Sequence, residues 1–176
     1  MNKFSKIAAQ LRAFTRAGQV VRFHTRPQIH PQNVAAHSYG VAWLCWVLTE
    51  GRASAALLAA ALMHDVPEFV TGDLPSPVKA EVGGGANGPL ALLEQRVLDR
   101  AGLPLRSLSE GEQRVLHLAD SLEGMLHCVR EFSLGNQLLN TCYIRYANAA
   151  RVLVQTGTEQ YVWGFINQKR RDYARA

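Results

Sequence analysis

His64 and Asp65 stand side by side at the end of an alanine-rich stretch, Leu57–Met63, where almost every neighbour is small or apolar. An ionised aspartate beside an imidazole is costly in such surroundings unless a charge or a hydrogen-bonding group meets it. A divalent cation would meet it. Two successive residues lie about 100° apart around a helix, so both can point at one ion from a helix end. Two more polar residues occupy similar ground: His37 in Val34-Ala35-Ala36-His37-Ser38, and Asp120 in Leu116-His117-Leu118-Ala119-Asp120-Ser121-Leu122. Two imidazoles and two carboxylates can hold Zn²⁺, Mn²⁺, Co²⁺ or Fe²⁺ and leave room for a water, and water on such an ion loses a proton far more readily. Taken alone, a His-Asp pair also reads as a buried structural hydrogen bond. Separations this long along the chain do not establish closeness in space.

These residues must be carried by helices. Phe4–Val20 has apolar residues at 4, 7, 11 and 14, a helical spacing. Val21–Asn33 is irregular, holds Pro27 and Pro31, and reads as a loop. Val34–Thr49 is a second helix with Val34, Val41, Leu44, Cys45 and Leu48 on one face, ended by Gly51. Ser54 caps a third, Ala55–His64. Pro67 and Glu68 open a short helix, since proline is tolerated in a first turn. Thr71–Val78, with Gly72, Pro75 and Pro77, reads as loop, and the glycine-rich Val82–Pro89 as a flexible loop or lid. Leu90–Ala101 is helical. Ser109-Glu110-Gly111-Glu112 has the pattern of a capping box, opening a helix to about Glu131. Asn136–Gln155 and Glu159–Lys169 complete the set. With no β-alternation, repeat or linker, the expectation is one all-α domain over residues 1–176, a helical bundle.

Composition narrows the class. The chain is 48% hydrophobic and 19% charged, which suits a globular domain. The longest apolar run, Ala53–Met63, is about half of what a bilayer requires, and no targeting signal is evident, so the expected location is the cytoplasm. Cys45, Cys128 and Cys142 cannot all pair internally and read as buried thiols in a reducing compartment. Met1–Thr49 carries six Lys/Arg and no Asp or Glu, while the rest carries 13 Lys/Arg and 14 acids. A one-signed field of this kind can steer an anion toward a cleft; a solubilising or nucleic-acid-binding face is the other reading.

The order His37…His64-Asp65…Asp120 resembles the HD-domain phosphohydrolases. The resemblance is strongest to their small 5′-deoxynucleotidase branch, through Asn33-Val34-Ala35-Ala36-His37-Ser38, His64-Asp65-Val66-Pro67-Glu68 and Thr71-Gly72-Asp73-Leu74-Pro75-Ser76-Pro77-Val78-Lys79. It covers roughly Ala9 to Glu131. It implies a compact HD-domain bundle in which His37, His64, Asp65 and Asp120 hold one catalytic divalent ion, Zn, Co or Mn, with Mg accompanying the nucleotide phosphates. It further implies that Arg22 grips the phosphate, that Glu68 orients water or moves a proton, and that Asp73 accepts a hydrogen bond from the sugar 3′-hydroxyl. Where the branch commonly has tryptophan after the arginine, this chain has Phe23, which can still stack on a sugar or base and crowd a 2′-hydroxyl. Phe23 as plain core and Asp73 as an ordinary turn residue are the bland readings.

The resemblance fits two substrates through one cut at the α-phosphorus. Chain size and the basic N-terminal part, with Arg16, Arg22 and Arg26, together with the later Lys79, lean toward a dNTP triphosphohydrolase like the small viral enzymes that strip dATP, in which His24 or Lys79 would meet the outer phosphates. The alternative is a 5′-deoxynucleotidase acting on dNMP. The expected partners are therefore a small-molecule deoxynucleotide and further copies of the chain, the latter from the aromatics Tyr161, Trp163 and Phe165. Membrane association is not expected, and nucleic acid is disfavoured by the lack of a zinc finger or aromatic platform. A nucleotide sensor without hydrolysis and a dinucleotide phosphodiesterase are the remaining rivals. All of this requires His37, His64, Asp65 and Asp120 to converge in space.

Overall fold

The computed structural model describes residues 2–82, 88–103 and 107–173, which form helices joined by turns and one long loop, with no strand among them. The helices are α1 (Lys3–Ala17), α2 (Val34–Leu48), α3 (Ala55–Met63), α4 (Glu68–Thr71), α5 (Ser76–Glu81), α6 (Pro89–Ala101), α7 (Glu110–Ser133), α8 (Asn140–Leu153) and α9 (Gly157–Tyr173). None of them is long and apolar enough to cross a membrane. The all-α HD-type bundle expected from the sequence is the fold observed.

The longest helix, α7, is the axis of the core and packs against α8, α2, α9 and α3. Ser109 starts it with the expected capping box: its side chain accepts the Glu112 amide, and the Glu112 carboxylate accepts the Ser109 amide. Leu118, Ala119, Leu122, Met125 and Cys128 are sealed against Val41, Cys45, Leu57 and Ala61 from α2 and α3. Burying side chains of this kind contributes about 1.5–3 kcal/mol for each large residue. A smaller cluster, Ala13, Ala17, Val66, Leu98 and Ala101, ties α1 to α6 and to the turn after α3.

Two approaches in the core require glycine. A Cβ on Gly124 would lie 2.6 Å from the Tyr146 ring, and one on Gly40 would lie 2.8 Å from Glu123 Cγ. Both sit inside helices, where glycine is disfavoured by about 1 kcal/mol relative to alanine, so closeness of packing explains them.

The loop from Gly18 to Asn33 is fixed by hydrogen bonds although it has no regular structure. An isolated antiparallel bridge joins Val21 to Asn33, and the buried Glu131 carboxylate accepts the amides of Ile29 and His30, both at 2.8 Å. In the first turn of α9, buried Glu159 accepts two N–H groups of Arg114 and the amides of Gln155 and Thr156.

Three readings of the sequence need correction. Residues 76–78, assigned to a loop on account of Pro75 and Pro77, belong to α5: Pro77 falls in the first turn, where its missing N–H has no helical partner to lose. The helix placed from Asn136 starts at Asn140, because Asn136 turns inward to hold Glu131 and the Pro27 carbonyl. Cys142 is only half-buried, whereas Cys45 and Cys128 are buried; all three thiols are free. The lid reading for the glycine-rich run falls on residues 83–87, outside those described.

Candidate metal centre and adjoining cavity

His37 lies in the first turn of α2, where Asn33 caps the helix by accepting the Ala36 amide. His64 and Asp65 lie just past α3. There the chain tightens: Val66 bonds to Met63, Glu68 to Asp65 and Phe69 to Val66, each amide reaching the carbonyl three residues back. This pattern lets Pro67 pass through the turn without an N–H and leads directly into α4. Asp120 is in the middle of α7.

The four side chains meet. His37 Nε2 stands 3.2 Å from His64 Nε2, 3.3 Å from Asp65 Oδ2 and 3.2 Å from Asp120 Oδ1. The candidate ligand atoms of His37, His64 and Asp120 all lie within 4.8 Å of one another. Donors sharing one ion at about 2.1 Å stand roughly 3.0–3.4 Å apart in octahedral or tetrahedral geometry, so the spacings around His37 fit a divalent cation. Ring orientations agree. His64 Nδ1 faces the Ala61 carbonyl at 2.9 Å and must donate to it, which leaves Nε2 as the free donor atom.

Charge is concentrated here. Burial and the Arg22 cation push the His37 imidazole down, but hydrogen bonds to Asp120, Asp65 and Glu123 outweigh them and raise it to about 10. Burial opposes ionisation of Asp65 and Asp120, yet the imidazoles and Arg22 hold both carboxyls low, Asp120 at about 2. One buried and one half-buried ring among ionised carboxylates form a cation-demanding pocket.

A cavity of about 360 Å³ adjoins the cluster, lined among others by Arg22, Phe23, Asp73, Asp120, Arg145 and Tyr146. Its volume is in the range of small-molecule sites. Arg22 is buried; its guanidinium reaches Gln32 Oε1 at 3.1 Å and Glu123 Oε2 at 3.4 Å, while its Nε has no partner. Phe23 stacks on His127, with ring centroids 5.1 Å apart, and meets Tyr146 edge-on. Its φ of 55° is a left-handed conformation that costs a non-glycine residue about 1–2 kcal/mol. On the flank, Glu68 is 3% exposed and receives Lys79 Nζ at 3.1 Å through Oε1, while its Oε2 is buried without a partner. Burial, reinforced by the charge of Asp65, pushes the Glu68 carboxyl up to about 8 against the pull of Lys79.

Of the other cationic residues singled out in the sequence, Arg26 lines the cavity, Arg16 lies over the Phe69 ring at 4.9 Å and His24 is exposed. Sequence reading passed over Gln32, Glu123, His127 and Tyr146, all of which border the site. A carboxylate such as Glu123 inside the apolar run Leu122–Met125 was the available signal.

The helical bundle is of the HD type, and it carries the H…HD…D side chains in one place. By sequence the chain is related to the 5′-deoxynucleotidases: the family described as 5′-deoxynucleotidase YfbR-like matches residues 4–83. The 5′-deoxynucleotidases YfbR of Salmonella paratyphi B and Salmonella newport are each 31% identical over 129 residues, 61% of this chain and 65% of theirs. The chain thus spans 65% of the length of the curated relatives it matches. Two solved structures share the fold. The cyanophage S-2L HD phosphohydrolase (DatZ), bound to dA and one catalytic Zn²⁺ ion, has a TM-score of 0.61 at 21% identity, covering 94% of this chain and 96% of that one. The PH0347 protein of Pyrococcus horikoshii OT3 has a TM-score of 0.66 at 18% identity, covering 93% and 98%.

Proposed function

We propose that this chain is a single-domain, metal-dependent phosphohydrolase that removes the 5′-phosphate from 2′-deoxynucleoside monophosphates. The observation that carries the reading is His37 Nε2 standing 3.2–3.3 Å from three other candidate ligands, beside a cavity floored by the buried Arg22. The names of the related 5′-deoxynucleotidases favour the monophosphate over the triphosphate toward which size and charge alone leaned.

His37, His64, Asp65 and Asp120 would hold the ion, with Zn²⁺, Co²⁺ and Mn²⁺ the ions suited to nitrogen and oxygen donors. When bound, a divalent cation supplies Lewis-acid polarisation of a phosphoryl oxygen and a water of lowered pKa. Arg22, a permanent cation with an unpartnered Nε, binds the phosphate oxygens and stabilises charge that grows on them. Glu68, its carboxyl pushed up by burial and with Oε2 free, handles the proton of water or leaving group. Asp73 lines the cavity where a 3′-hydroxyl would need an acceptor, and the Phe23 ring stacks on the nucleoside and crowds the 2′ position.

Hydrolysis of a dNTP to deoxynucleoside and triphosphate is the second reading. Arg26 and Arg145, both on the cavity wall, favour it, with Mg²⁺ accompanying the outer phosphates. Lys79 does not add to that argument, since it is engaged by Glu68. Exposed Val152, Tyr161 and Phe165 support a homo-oligomer, measurable by sedimentation, and three free thiols suit the cytoplasm.

The test is incubation of Co²⁺-, Mn²⁺- or Zn²⁺-loaded protein with dAMP, AMP and dATP, followed by separation of products. Deoxyadenosine and phosphate from dAMP are expected, with AMP cleaved more slowly. Triphosphate from dATP with dAMP intact would select the second reading. No cleavage of any of them by metal-loaded protein would refute both.

A further inference from the structure

Glu123 has no place in the H…HD…D pattern, yet it touches both halves of the site. It lies three residues after Asp120 on α7, so the two carboxylates share a helix face. Its surroundings, Leu122, Gly124 and Met125, are buried, and a carboxylate kept there is costly unless each oxygen is met. Both are met. Oε2 lies 2.5 Å from His37 Nδ1 and 3.4 Å from an Arg22 guanidinium nitrogen; Oε1 accepts the Gln32 side-chain amide at 2.7 Å. Gln32 in turn accepts from Arg22. One carboxylate therefore contacts a candidate metal ligand, the candidate phosphate-binding arginine and the side chain that holds that arginine.

The backbone is shaped to admit it. Gly40 lies one turn after His37 on α2, and a Cβ there would come within 2.8 Å of Glu123 Cγ and 3.2 Å of Oε1. The sequence accepts a helix-weakening glycine at the point where the carboxylate must pass.

We propose that Glu123 is a positioning residue: it fixes the His37 ring with Nδ1–H donating to it and Nε2 turned to the ion, and it holds Arg22 for the phosphate, so that the two seats are built as one unit. The inference rests on the metal-dependent reading above. An imidazole whose second nitrogen donates to a carboxylate is oriented and made a stronger donor, and loss of such a partner typically lowers metal affinity by 10–100-fold. Because one carboxylate serves both seats, its removal acts on metal and anion together.

The test is Glu123→Ala and Glu123→Gln, with Gly40→Ala as an independent way to displace the carboxylate without deleting it. Co²⁺ and Zn²⁺ affinity is measured by competition with a chromophoric chelator, the His37 tautomer by ¹⁵N NMR, and phosphate affinity by inorganic phosphate as an inhibitor. Glu123→Ala is expected to weaken metal binding 10–100-fold, to lose the single Nδ1–H tautomer and to weaken phosphate inhibition in the same protein. Glu123→Gln, which still offers an acceptor oxygen, is expected to fall between it and the unaltered chain. If Glu123→Ala does not fold, Gly40→Ala and Glu123→Gln decide. Folded variants that bind metal and phosphate as the unaltered chain does would overturn the assignment while leaving the hydrolase reading intact. An unaltered chain that binds no divalent metal would overturn both.

Discussion

Asp73 accepts the backbone N–H of Phe23 through Oδ2 at 2.7 Å, so the turn after α4 anchors the loop that carries Arg22. The bond holds Phe23 in its left-handed conformation on the cavity wall. Asp73→Ala should lose a charge-assisted hydrogen bond, costing about 1.5–3 kcal/mol of stability, and should raise KM for a deoxynucleotide. Asp73→Asn keeps an acceptor and should be milder on both counts. Denaturant unfolding and steady-state kinetics check this; equal KM for all three proteins would separate the bond from substrate binding.

Glu68 is buried, burial pushes its carboxyl up to about 8, and it keeps Oε2 free. Glu68→Gln retains the shape and removes proton transfer. A drop in kcat of roughly 10²- to 10⁴-fold is expected, with the melting temperature unchanged or higher, since a costly ionisable group has been removed from the interior. Unaltered kcat would take Glu68 out of the chemistry.

Candidate ligands come from α2, the end of α3 and α7, so an ion bound there should stabilise the fold. At one hundred times Kd the gain is about 2.7 kcal/mol, which for a chain of this size raises Tm by roughly 5–10 °C. Calorimetry with and without Mn²⁺, Co²⁺ or Zn²⁺, and reversal by a chelator, measures it. In Asp120→Ala the metal-dependent shift should vanish together with turnover.

Acid should destabilise the protein in two stages. Burial holds the His127 imidazole down at about 4, below its ordinary value of 6.5. The unfolded chain therefore binds that proton first, and stability falls as pH drops from about 6.5 to 4. Burial opposes ionisation of Glu131 and Glu159, but their hydrogen bonds outweigh it and hold both carboxyls below 4.5. Their contribution is full above that value and is lost as pH falls through their folded-state pKa. Urea midpoints across pH 3–8 test this, and His127→Gln should remove the upper stage.

Much of the arrangement was legible in residue types and spacing. Periodicity placed α1, α2, α3 and α7 within a few residues, and Ser109 with Glu112 announced the start of α7 because capping is local chemistry. Asp120 and His37 stood out as polar residues in apolar runs. Glu123 offered the same signal but looked like an ordinary helical charge, since its partners His37 and Arg22 lie far back in the chain and spacing carries no information about such pairs. The Pro75–Pro77 turn misled for the opposite reason: proline marks a break everywhere except at a helix start. Arg22 was counted as part of a steering field, yet it is buried against Glu123, so its charge acts locally instead of on the approach of an anion.

Because the candidate ligands are drawn from residues 37, 64, 65 and 120, a metal seat built from them can exist only when the bundle around it is closed. A nick in any intervening loop would leave every ligand chemically intact and still scatter them, so inactivation by limited proteolysis would precede any loss of the residues themselves. Conversely, an ion held there would act as a cross-link spanning half the sequence, slowing protease attack on turns it never touches.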